Sequence, residues 1–368
     1  MAWHAVPDAP SPQPSPTRGE GATPPLHGSL GPIQGARPRR EATQAGVLRQ
    51  SGAALLAAML TVTLVATFAV AAMWQQWRAI EVETAERARI QSAWILIGAL
   101  DWSRLILRED SLAHGGDGTD NLSEPWAVPL EEARLSTFLA ANNNVAQVED
   151  ASTDTANAFL SGQITDQQAL LNLRNLAGEQ QVDATALRQF ARLFDYLGLP
   201  RAQLDQLARQ MQRASVREDA QGNAPLMPQS VAQLGWWGLP QPTVATLSPH
   251  VTLLPVRTTV NVNTASAVVL WASADGLDMA DAQRLVQRRE ANHFRNVADA
   301  AQLVREPGSI SSTTHGVASN YFEVRGRLRL DGAVVEERSL VHKQRGDVRT
   351  LWRERGGLDR GMGASAGR

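Results

Sequence analysis

The sequence predicts an α+β chain with a long N-terminal helix, a helical middle and a small antiparallel sheet near the C-terminus. Three observations carry this. No charge occurs from Gln50 to Trp77, and neither glycine nor proline interrupts Ala53 to Ile97. Apolar residues then recur at helical spacing in several short segments between 130 and 304. Finally, YFEVRGRLRLDGAVVEERSLVHKQ alternates apolar and polar residues around Asp331-Gly332, a strong short-range hairpin signal.

The first 46 residues are rich in Pro, Gly and Ser and poor in aliphatic residues, a composition that builds no core. Residues 1–46 are read as disordered, an over-extended reading frame, with a start near Val47 or Leu48. Residues 47–52 are then the end of a short leader. A hydrocarbon core of ~30 Å needs about 20 apolar helical residues, and 53–73 supplies them. A secretory h-region of about 7–15 residues would end in a cleavage box and a break, whereas here the helical pattern runs on. The span is therefore read as retained. Trp74 and Trp77 fall where an interfacial aromatic belt belongs. Arg49, with Arg39 and Arg40 before it, puts the N-terminus in the cytoplasm and the bulk of the chain outside.

The helix is expected to continue to residue 109. A stripe of Ile90, Ala93, Trp94, Ile97, Leu100 and Leu107 would pack it on a domain, and the adjacent glycines of HGGDGTDN would end it. Residues 110–130 are read as a loop and the start of the sheet, and 130–310 as helical. Within that range Thr165 and Gln168 have capping-box spacing, predicting a helix over DQQALLNLRNLAG. Leu187, Phe190, Ala191 and Phe194 form one helical face, and RAQLDQLARQMQR predicts another helix. Residues 218–228 read as a linker. The segment 260–304 predicts a short entry, a helix capped by Thr264, a turn at Asp275 and Gly276, and helices started by Asp278 and Asn296. Residues 311–345 are the expected C-terminal strands, with Leu328, Leu330, Val335 and Leu340 covering one face. Residues 346–368 are expected to be a disordered tail.

Composition excludes several classes. A net charge of -2 favours neither nucleic acid nor anionic lipid, and zero cysteines remove disulfides and thiolate chemistry. Lys343 stands alone among abundant arginines. No HExxH or Walker loop occurs, and no GxSxG elbow or GxGxxG is placed between a predicted strand and helix, so no enzyme is predicted. The loop DGTDN offers Asp117, Asp120 and Asn121 as oxygen ligands for calcium, or is a solvated turn. The 260–304 segment is similar to helix-hairpin-helix modules that bind DNA through backbone N–H groups. Its turn reads DGLD, however, and the two carboxylates would repel a phosphate, which leaves a structural use of the same small fold.

Taken in order, several segments carry a family likeness. RQSG before AALLAAMLTVTLVATFAV resembles the leader junction of type IV pilin-like proteins. LSEPWA, ITDQQALLNLRNLAG, ALRQFARLFDYLGLP and VNVNTASAVVLWA resemble landmarks of the K-type minor pseudopilins of the type II secretion system. The resemblance implies a pseudopilin fold with a large inserted helical domain and cutting by prepilin peptidase between Gly52 and Ala53, with methylation of the new terminus. It further implies a non-enzymatic inner-membrane subunit that joins I- and J-type minor pseudopilins, and other pseudopilins, at the tip of a periplasmic pseudopilus. Most such proteins carry glutamate as the fifth mature residue; here that residue is Ala57, as is typical of the K type. Calcium binding by some members keeps Asp117, Asp120 and Asn121 as candidate ligands. The competing reading is a membrane-anchored helix-hairpin-helix protein for DNA uptake.

Overall fold

A computed structural model describes residues 51–112, 118–137, 158–215, 224–330, 333–344 and 346–356. Backbone contacts divide the chain into two units, residues 1–72 and 73–368. In the first, residues 51–72 are helical and exposed from Ala53 on, the beginning of α1 (Ser51–Leu112). This is one helix long and apolar enough to cross a membrane.

In the second unit a five-stranded antiparallel sheet has the order β1 (Leu130–Arg134), β2 (Ala158–Asp166), β7 (Tyr321–Leu330), β8 (Ala333–Gln344) and β9 (Asp347–Arg355). The remaining elements lie between β2 and β7 in the chain. They are β3 (Leu171–Asn172), α2 (Ala184–Tyr196), α3 (Arg201–Ser215), α4 (Gln241–Leu247), β4 (Val251–Thr252) and β5 (Val260–Asn261). Then come α5 (Ala267–Ser273), α6 (Met279–Ala291), α7 (Val297–Ala301) and β6 (His315–Gly316). Because β2 and β7 are paired from Ala158↔Leu330 to Asp166↔Phe322, this helical insert leaves and re-enters the sheet at one end of two neighbouring strands.

The later part of α1 lies on one sheet face. Leu96 packs with Leu160, Leu328 and Leu330, and Leu100 and Leu107 pack with Phe322, Val324 and Val341. Gly326 permits the approach, since a Cβ there would stand 3.1 Å from Leu96 Cδ2. Gly326→Val is therefore expected to lower stability by about 1–3 kcal/mol through overpacking. Thermal melting of the detergent-solubilised chain checks this. The insert has its own core, in which Phe190, Leu193 and Phe194 meet Leu204, Leu207, Val269 and Leu285.

Several expectations are corrected. The buried face of α1 is Leu96, Leu100 and Leu107, whereas Ile90 and Trp94 are exposed, so the packing stripe is rotated from the one predicted. The range 130–310 is not all helical, for β1 and β2 are sheet strands. DQQALLNLRNLAG forms no α-helix. Asp166 accepts a hydrogen bond from the Gln168 N–H and Asn172 from the Arg174 N–H, and these side-chain turns break the stretch into two 3-10 turns around β3. Thr264 caps nothing: Ser266 caps α5, and the Thr264 hydroxyl donates to Asp166. Asp278 and Asn296 do cap α6 and α7. Leu328, Leu330 and Val335 share the α1-facing side, but Leu340 points to the opposite face, with Leu254, Tyr321 and Trp352. The tail expected over 346–368 contains β9, an edge strand held to β8 from Gln344↔Asp347 to Glu337↔Arg355. Residues 1–50, the first part of the expected linker, the turn residues Asp331 and Gly332, and the tail from 357 on lie outside the described residues.

Candidate functional site

Two buried polar junctions tie the elements together. At the first, the end of α1 brings Asp110, the following loop brings Asp120 and Glu124, and β8 brings Lys343. Carboxylate oxygens of Asp110, Asp120 and Glu124 lie within 4.8 Å of one another. The Lys343 ammonium donates to Asp110 Oδ2 at 3.0 Å and to Asp120 Oδ1, and stands 5.0 Å from the centre of the Phe322 ring. Asp120 Oδ2 accepts from the Ser319 N–H at 2.8 Å. Glu124 Oε1 accepts from Asn121 Nδ2 at 2.6 Å, and Oε2 from Trp126 Nε1 at 2.5 Å. Trp126 is itself buried edge-on against Phe322, with centroids 5.0 Å apart.

The charges follow from burial. Burial would lower the Lys343 ammonium, but the charge and hydrogen bond of Asp120, then those of Asp110, outweigh it and hold it above its ordinary value. Burial also raises the Asp120 carboxyl, against the opposing charge and hydrogen bond of Lys343. Glu124 is pushed up to about 7, by burial first and then by the charges of Asp110 and Asp120, with the Trp126 N–H opposing.

The second junction is Asp166, at the end of β2. Its Oδ1 accepts from the Gln168 N–H at 2.7 Å. Its Oδ2 accepts from Asn261 Nδ2 at 3.1 Å, Thr264 Oγ1 at 2.5 Å and Ser319 Oγ at 2.6 Å. Asn261 also donates to the Asp120 carbonyl at 3.0 Å, which links the two junctions. Sheet, loop and insert thus meet on one buried carboxylate.

Of the residues singled out in the sequence, Gly52, Ala53 and Ala57 lie in the first turns of α1, with Ala53 and Ala57 exposed. Asp117 lies outside the described residues. Asp120 enters the carboxylate cluster, but Asn121 does not join it as an oxygen donor: its Oδ1 accepts from Ser123 and its amide donates to Glu124. Asp110, Glu124 and Lys343 complete this cluster, and sequence reasoning does not assign them to it. A signal for Lys343 exists, because a lone lysine sits in the same alternation phase as Val341 and Val335.

The helix-hairpin-helix-like turn joins α5 to α6, with Gly276 at φ 83°. Asp275 pairs with Arg188 at 2.8 Å, and Asp278 caps α6 while pairing with Arg305 at 3.1 Å. The Glu306 carboxylate lies directly against Gly276. An incoming phosphate would meet three carboxylates at the turn, so this geometry is hostile to a nucleic-acid backbone.

An antiparallel sheet with a helix packed on one face and a helical insert between paired neighbouring strands, in a chain that also carries a transmembrane-length helix, is the pseudopilin fold with an inserted helical domain. Two family models, both described as type II secretion system protein K, match residues 169–256 and 260–318, most of that insert. Type II secretion system protein K of Pseudomonas aeruginosa is 26% identical over 332 residues, covering 83% of this chain and 93% of the relative. The crystal structure of the GspK-GspI-GspJ complex from enterotoxigenic Escherichia coli superposes with a TM-score of 0.51 at 19% identity, covering 74% of this chain and 98% of the matched one. The chain is thus similar to type II secretion system protein K, by family model over residues 169–256 and 260–318 and by the Pseudomonas aeruginosa relative over most of its length, and it shares the fold of the solved relative.

Proposed function

We propose that this subunit stands at the tip of the type II secretion pseudopilus and, with I- and J-type minor pseudopilins, initiates and caps its assembly for protein export across the outer membrane. The observation that carries the reading is α1 itself, apolar over 53–73 and unbroken to Leu112, with the insert built onto the sheet it reaches. A matched relative was crystallised as a GspK-GspI-GspJ complex, which supports I- and J-type partners here. The precursor is a single-pass inner-membrane protein with its N-terminus in the cytoplasm, cut by prepilin peptidase after Gly52 and methylated on Ala53. Its role is structural, without catalysis. Ala57 suits the top position: an unpaired carboxylate in lipid costs several kcal/mol. A subunit with none above it has no neighbouring amine to satisfy one.

Mass spectrometry of the membrane-extracted protein is expected to find a methylated Ala53 terminus, and Gly52→Val is expected to abolish processing. An intact terminus upstream of Gly52 in the wild type would overturn the reading. Gene deletion is expected to stop protein secretion and leave DNA uptake unchanged; the reverse result would favour the uptake protein.

A further inference from the structure

We infer that Lys343, the chain's one lysine, is a built-in counterion standing where a divalent cation would bind between Asp110, Asp120 and Glu124, so that this junction closes without metal. Three carboxylates with oxygens within 4.8 Å of each other invite a hard cation such as calcium, the ion that the family likeness brings into question. The donor set does not fit one. Calcium takes about six to eight oxygens at 2.3–2.6 Å, whereas here the carboxylates are already engaged by N–H donors.

The Lys343 ammonium bonds both Asp110 Oδ2 and Asp120 Oδ1. The other Asp120 oxygen accepts from the Ser319 N–H. Both Glu124 oxygens accept, from Asn121 and Trp126. An ion on the oxygens of Asp110 and Asp120 would lie in contact with an ammonium sharing those oxygens, and like charges at that distance repel strongly. Asn121, the neutral ligand the loop offers, has its oxygen turned to Ser123.

Lys343 joins the two segments such a metal would join, the end of α1 and the loop through Glu124, and ties both to β8. Its backbone N–H is anchored to the Asn320 carbonyl at 2.7 Å, and its side chain is 9% exposed over the Phe322 ring. The ammonium is thus held by the fold and not recruited from solvent.

The test uses the full-length chain in detergent, melted in millimolar calcium and in excess EDTA. The wild type is expected to melt at the same temperature in both. Lys343→Met removes the charge and leaves three facing carboxylates. It is expected to melt lower in EDTA, by on the order of 5–15 °C, and to recover part of that loss in calcium. Lys343→Arg keeps a cation and is expected to ignore calcium. Stabilisation of the wild type by calcium that disappears in Asp120→Asn would overturn the inference, as would a Lys343→Met variant that melts like the wild type in EDTA. If Lys343→Met does not accumulate, wild type and Lys343→Arg decide the matter: insensitivity of both upholds the inference, and calcium stabilisation through Asp120 in either overturns it.

Discussion

Trp126→Ala is expected to lower the unfolding free energy by about 3–5 kcal/mol, a fall in melting temperature on the order of 10 °C. Trp126 is 1% exposed and packs edge-on against Phe322 among Leu100, Leu107, Val324 and Val341. Truncation opens a cavity under α1, which the proline-led turn Pro125–Ala127 cannot collapse to fill. A second loss is separable. The indole N–H is one of two donors holding Glu124, so Trp126→Phe keeps most of the packing and strips that donor. This variant is expected to cost about 1–3 kcal/mol and to push Glu124 further above its present value of about 7. Urea unfolding followed by circular dichroism gives both numbers. Equal losses in the two variants would mean that the hydrogen bond, and not the ring, anchors the loop.

LSEPWA stands out in the sequence as one landmark of the K-type likeness, and Trp126 is the buried anchor within it. Elements decided by local spacing are equally legible. Phe190 and Phe194 lie on the predicted face of α2, and Asp278 and Asn296 cap as their positions suggest. Where the sequence misleads, tertiary partners decide. The stretch 165–178 has good helical spacing, yet Asp166 and Asn172 turn their side chains onto their own backbone and bond to distant residues such as Asn261 and Thr258. A single chain gives no sign that a residue nearly a hundred positions away will be there. β9 escapes a reading of the sequence because its exposed arginines look like a solvated tail, although Val348 is buried and β8 supplies its ladder. The reading of Gly52-Ala53 as a leader junction, and of Ala57 as a position without the usual carboxylate, comes from pattern alone. Their consequences depend on other proteins, not on this fold.

Asp166→Asn is expected to lower stability by about 3 kcal/mol or more, and by an amount that grows as the pH falls from 7 to 5. Asn replaces Oδ2, which accepts from Asn261, Thr264 and Ser319, with an amide that donates toward the same three groups. A buried donor facing donors forfeits charge-assisted bonds worth about 1.5–3 kcal/mol each, although the two hydroxyls can rotate to recover part of this. The pH dependence has a definite sign. Burial raises Asp166 from 3.8 to about 6 against the pull of Ser319, Thr264 and the Gln168 N–H. Between those values the folded chain binds a proton that the unfolded chain does not, so this group's contribution to stability rises as the pH falls. Above about pH 6 both states are ionised and the cost of burying the charge is fully present. Asparagine does not titrate, so the gap between wild type and variant should widen toward acid. Paired urea titrations of the two proteins at pH 7 and pH 5 measure it. A gap that stays constant or narrows would mean that Asp166 is well solvated in the folded chain. The insert would then be tied to the sheet by the neutral bonds around Asn261 alone.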